Sequence, residues 1–138
     1  MDEKCKALCD SMAKCIADRD FNGAHSLLAP WSRATTSADE IQRMVDDAGE
    51  GLLPPREWSL DEGMLELDDL RKPDPLGPPS KGLPKEVSAQ NYRGWLCIQF
   101  RPKPTDGEDQ NICFDVWLAA VEHDGIYRVG YIEAWEAS

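Results

Sequence analysis

Two carboxylates set among apolar residues are the side chains best placed to do chemistry. Asp115 and Glu133 each interrupt a strand-like run, and a carboxylate withdrawn from water has its pKa raised toward the range of a general base. Whether they meet depends on the turn between the two runs. A two-residue Asp124-Gly125 turn sets Glu133 opposite Val116, whereas a three-residue His123–Gly125 loop sets it opposite Asp115. The structural alternative is that one or both face water, or pair with Arg93 or Arg128. No further catalytic set accompanies them.

Other reactive residues are weighed against simpler roles. Asp18, Asp20, Asn22 and Gly23 follow the first half of a calcium-loop pattern, but its twelfth position is Ala29, so the closing bidentate glutamate is missing. Helix capping is the better reading, and no metal is expected. Cys5 and Cys9 lie one helical turn apart with Cys15 nearby, yet no histidine or second cysteine pair completes a metal site. They read as buried thiols, as do Cys97 and Cys113 in strand patterns. His25 and His123 could move a proton near neutral pH, but neither has a nucleophile beside it in sequence. Trp95, Trp117, Tyr127, Tyr131 and Trp135 crowd the C-terminal third. Such residues combine apolar area with a polar handle and suit a pocket wall or an interface. Trp95, Trp117, Tyr131 and Trp135, with Met12 on the first helix, are the candidate ligand-binding or interface residues.

The elements that must position these residues are legible from periodicity. Cys5, Leu8, Cys9, Met12 and Ile16 form one stripe of an amphipathic helix over 3–17. Asp20 caps a second helix, Phe21–Leu28, stopped by Pro30. Ser37 and Glu40 form the capping box of a third, whose apolar positions are Ile41, Met44, Val45 and Ala48, ended by Gly49 or Gly51. From about 52 to 88 the chain holds seven of its ten prolines and reads as a long surface crossover loop. Short extended pieces are expected at Glu57–Leu60 and Met64–Leu67. Strand-like runs follow at Asn91–Arg101, Asn111–Glu122 and Ile126–Glu136, the last two joined by a hairpin signal. In the middle run both alternating faces are largely apolar, so that strand is expected to be covered on both sides. The helices cover one face; the other calls for a second cover, such as a partner subunit.

With 138 residues and 41% apolar content, the chain is expected to be one domain with a real core. The net charge of −11 repels phosphates and anionic bilayers, so neither nucleic acid nor membrane is an expected partner. No apolar run is long enough to span a bilayer. Five cysteines without a secretion signal suggest reduced thiols and a cytoplasmic location.

Helices followed by an antiparallel meander define an α+β class, and the order resembles the nuclear transport factor 2-like superfamily, a cystatin-like roll of helices on a curved sheet. Two stretches carry the resemblance: Ala17-Asp18-Arg19-Asp20-Phe21-Asn22-Gly23-Ala24-His25-Ser26-Leu27-Leu28, like that family's turn between helices one and two, and Val121-Glu122-His123-Asp124-Gly125-Ile126-Tyr127-Arg128-Val129-Gly130-Tyr131, like its closing hairpin. The resemblance implies a conical pocket between sheet and long helix. Catalytic members carry a carboxylate or histidine there, often with a tyrosine donor, whereas helix one here offers only cysteine, leucine, methionine and isoleucine.

The leading expectation is a noncatalytic binding or adaptor domain, without a cofactor, holding a small apolar ligand or a protein partner, and dimeric through the open sheet face. One rival is a small lyase or isomerase with Asp115 or Glu133 as general base. Another is an acidic inhibitor or immunity-type protein that neutralises a basic partner, presenting Asp61, Glu62, Glu66, Asp68 and Asp69.

Overall fold

The computed structural model describes residues 1–49, 57–63, 65–74, 76–101 and 113–137. Among them the order is α1 (Glu3–Ala17), α2 (Phe21–Ser26), α3 (Pro30–Thr35), α4 (Ala38–Ala48), β1 (Glu57–Glu62), α5 (Leu67–Leu70), β2 (Tyr92–Arg101), β3 (Cys113–His123) and β4 (Ile126–Ala137). The strands form one open antiparallel sheet in the order β1-β2-β3-β4. The class is α+β, with helices packed on a four-stranded sheet.

Local chemistry sets the helix boundaries. Asp2 caps α1 by accepting from the Lys4 amide at 2.8 Å, and the Tyr127 hydroxyl donates to its second oxygen at 3.0 Å. That carboxylate therefore ties the start of α1 to the start of β4. Asp20 caps α2 at Gly23 N (2.9 Å), so the first half of the calcium-like pattern is spent on a helix end. The capping box of α4 forms as expected between Ser37 and Glu40. Pro30 behaves differently from expectation. It stops nothing; it occupies the first turn of α3, where its missing N–H has no partner to lose. The helix expected over Phe21–Leu28 accordingly ends at Ser26.

One sheet face meets α1, α2 and α4. Leu96, Ile98 and Phe100 of β2, Phe114, Val116, Leu118 and Ala120 of β3, and Val129 and Ile132 of β4 pack against Cys5, Leu8, Cys9, Met12, Ile16, Ile41 and Val45. Phe100 and Phe114 stack with centroids 4.9 Å apart. Each such side chain, taken fully from water, contributes about 1.5–3 kcal/mol before entropy is counted.

Part of the other face is covered by the chain itself. Leu70 of α5, with Leu83, Val87 and Ala29, packs on Trp95, Ala119 and Val121. This segment is a strap, where the sequence suggested a surface loop. Its prolines forbid a ladder, so it is held by single bonds: Leu83 N to Leu70 O (2.8 Å), Gly63 N to Trp95 O (2.7 Å), and the Arg71 guanidinium to Val87 O (2.6 Å). The extended piece expected at Glu57–Leu60 is β1. The second, at Met64–Leu67, is not formed: Leu65 is 50% exposed, Leu67 opens α5, and Met64 lies outside the described residues.

A bulge in β4 sets the register. The hairpin closes on a two-residue turn, with His123 opposite Ile126 and Asp124 at φ 53° and Gly125 at φ 78°. Pairing then slips between Ala119 and Ala120, leaving Gly130 as the extra residue. Its position demands glycine, because a Cβ there would stand 2.8 Å from Val121 Cγ1 and 3.2 Å from Val87 Cγ2. Gly130→Ala should lower unfolding free energy by about 1–3 kcal/mol, the usual cost of overpacking, as read from urea denaturation. An unchanged midpoint would show that the strap yields without cost.

Candidate functional site

The bulge answers the question posed by Asp115 and Glu133 in a third way. Beyond Gly130 the register has shifted by one, so Glu133 lies opposite Trp117 and Asp115 opposite Trp135. The turn is the two-residue one, yet the expected pairing with Val116 is lost. The two carboxylates share the strap-side face as diagonal neighbours on adjacent strands.

Their environments differ. Glu133 is engaged by the strap: Ser80 donates its backbone N–H at 3.0 and 3.2 Å and its hydroxyl as well. Burial, and then the Glu133 carboxylate beside it, push the Tyr131 phenol well above its usual range. Asp115 sits half-buried between Gln99 and Trp135. Burial raises its pKa; the Gln99 side chain pulls the other way and Asp61 adds a further push upward. Among the described residues its Oδ1 is buried without a hydrogen-bond partner, and so is the Trp135 indole N–H. Among the described residues no histidine or lysine acts on Asp115. Neither Arg93 nor Arg128 pairs with these carboxylates: Arg93 binds Glu122 at 3.1 Å and Arg128 donates to Ser26 O at 2.9 Å.

The aromatic candidates divide by depth. Trp95 is buried beneath the strap and stacks on Trp117 at 5.5 Å, with Tyr131 tilted against it at 6.3 Å. Trp117, Tyr131 and Trp135 are half-buried. Met12 is fully enclosed in the helix-facing core. His25 contacts Arg33 O at 3.2 Å, and the His123 and Trp31 rings form a T-shaped pair with centroids 5.8 Å apart. Three of the thiols are inert by environment, since burial pushes Cys5 up to about 11 and Cys9 and Cys97 up to about 12. Among the described residues no three histidine, cysteine or acidic side chains converge as a metal site would require. No helix among them is long and apolar enough to cross a membrane.

Two cavities lie along the outer edge of β4. One, of about 490 Å³, is lined by Met44, Asp47 and Ala48 of α4 and by Glu133 to Glu136 of β4. The other, of about 200 Å³, lies between α3 and the strap, against Tyr131 and Ile132. Trp31 and Ser32 reach this edge because α3 exists: Trp31 Nε1 and Ser32 Oγ both donate to Gly130 O, at 2.9 and 3.0 Å. Both residues were missed from sequence, although a proline opening a helix turn and a glycine inside a strand are the signals for them.

Compared with protein-family models, curated proteins and solved structures, the chain matches none.

Two outcomes follow from the site. Because the folded-state pKa of Asp115 is raised, the folded chain binds a proton more tightly than the unfolded one; the stability linked to that proton is present below the ordinary carboxyl range and lost as pH rises through the folded value. Asp115→Asn should therefore raise the melting temperature at pH 7 by a few degrees, with the gain vanishing near pH 3. A gain that persists unchanged at pH 3 would refute the assignment. In native labelling with iodoacetamide at pH 8, Cys5, Cys9 and Cys97 should stay unmodified until the chain unfolds, as mass mapping would show.

Proposed function

We propose that this chain is a noncatalytic binding domain whose partner is a protein segment held against the sheet edge. The observation that carries the reading is the commitment of Glu133 to Ser80. With Glu133 so held, Asp115 has no histidine or lysine partner among the described residues, which weighs against the lyase or isomerase reading. The small apolar ligand version is weakened by the filling of the helix-facing core, where Met12, Ile16, Phe100 and Leu118 are fully buried. The cavities noted above open on β4 instead.

The element order and the open sheet support the nuclear transport factor 2-like resemblance as part of this proposal. Homodimerisation through the sheet face would have to use its strap-free half, around Gln99, Asp115 and Trp135. The acidic inhibitor version keeps support from Asp61, Glu62, Glu66, Asp68 and Asp69, all exposed, and from the net charge of −11; it too names a basic protein as partner.

Site-specific photocrosslinking tests the reading. A benzoylphenylalanine placed at Asp47 or Trp135 should capture a protein adduct in the expressing cells, and one placed at Ser11 on the exposed side of α1 should not. The capture should persist in Asp115→Asn and weaken as salt rises. Equal adducts from all three positions, or none from any, would overturn it. Saturable uptake of Nile red by the purified chain would restore the small-ligand version.

A further inference from the structure

Resting on the binding reading above, we infer that the partner is a cationic, extended peptide segment that joins the sheet as a fifth strand on the outer edge of β4. The first half of this edge is already used by the chain itself. Val129 N–H donates to Leu27 O at 2.9 Å, Ala29 N–H donates to Val129 O at 2.8 Å, and Gly130 O accepts from Trp31 and Ser32. Those bonds show which main-chain groups point away from β3. Outward and inward groups alternate along an antiparallel strand; with Gly130 as the extra residue, Ile132 and Ala134 present N–H and C=O outward. No described residue hydrogen-bonds them there.

An open strand edge is a template for another chain, and here it lies in a trough. The side chains of α4, Met44 and Ala48, stand on one side and Trp135 on the other. The cavity beside Trp31, Thr35 and Pro84 continues the trough at its other end, against Tyr131 and Ile132. From Tyr131 to Glu136 the edge spans roughly 20 Å, room for about six extended residues. An added strand would gain main-chain bonds from Ile132 and Ala134, and its alternating side chains would meet α4 on one face and Trp135 on the other.

Charge selects the occupant. Among the described residues the charged side chains lining the two cavities are acidic, Asp47, Glu86 and Glu133 among them. A second copy of a chain carrying −11 would bring like charge to this edge, which costs affinity, whereas a lysine- or arginine-bearing segment gains it.

The test uses the full chain and a synthetic nine-residue peptide of alternating lysine and valine, followed by fluorescence anisotropy and amide NMR. The lysine peptide should bind and shift the Ile132 and Ala134 amides. A version N-methylated at alternate amides, and a glutamate-for-lysine version, should each bind at least tenfold more weakly. Ala134→Pro, which removes one outward N–H from an edge strand, should also weaken the lysine peptide at least tenfold. Should that variant fail to fold, the N-methyl peptide carries the test alone. Binding that shifts Gln99 and Trp117 but not Ile132 and Ala134 overturns the edge assignment and leaves the binding reading standing. Absence of binding at millimolar peptide overturns the inference. A dimer in sedimentation analysis that Ala134→Pro dissolves gives the edge to a second copy and equally overturns it.

Discussion

A single missing side chain, at Gly130, is the constraint on which the rest of this structure depends. The bulge puts its carbonyl outward, where the indole of Trp31 and the hydroxyl of Ser32 converge on it. The absent Cβ lets Val121 and Val87 close over the backbone. Two layers are thereby fixed at one point: α3 is pinned to the edge of the sheet, and the end of the strap is pinned to its face. The same extra residue advances the register of everything beyond it. It is the reason that Glu133 faces Trp117 and reaches Ser80, and the reason that Asp115 lies opposite Trp135. The fold hinges here on one backbone irregularity.

The strap shows how a proline-rich segment can cover a sheet without becoming part of it. Prolines deny it a continuous ladder, so its attachment relies on buried apolar anchors, Leu70, Leu83 and Val87, supplemented by isolated polar bonds. The strongest of those by type is the charge-assisted pair of Ser80 donors on Glu133. A carboxylate that looked available for catalysis is thus a structural acceptor. The covering is also partial: Trp95 is sealed, whereas Trp117 and Trp135 keep part of their surface exposed.

Much of the architecture could be read from residue patterns because it depends on local chemistry. The stripe from Cys5 to Ile16, the Ser37–Glu40 capping box and the Asp124-Gly125 turn each specify an element within a few residues of themselves. What escaped depends on contacts distant in sequence. The apolar alternation of β3 correctly demanded two covers, but nothing in it tells a partner subunit from residues 67–87 of the same chain. Pro30 carries opposite meanings, a stop or a first turn, and only the fit of Trp31 to Gly130 decides between them. The register of Glu133 failed for the same reason. A hairpin's turn length fixes pairing only until the first bulge, and a glycine inside a strand signals a bulge without giving its direction.

The edge of β4 also bears on which chains could pair with it. Edge strands are commonly protected by charge, prolines, bulges or a covering segment, and here these devices are divided along a single strand. The bulge and the Leu27–Ala29 contact close the first half of the edge. Among the described residues none hydrogen-bonds the outward Ile132 and Ala134 groups of the second half, and acids border it. Repulsion between like charges falls off within about 8 Å at physiological salt, so it acts at the contact distance of two approaching edges and hardly beyond. A device of that range would disfavour a second acidic copy while leaving the backbone template intact. Protection by proline or a covering segment would have removed the template altogether. On the proposed reading, an edge bordered by acids among the described residues would stay open to a segment of the opposite sign.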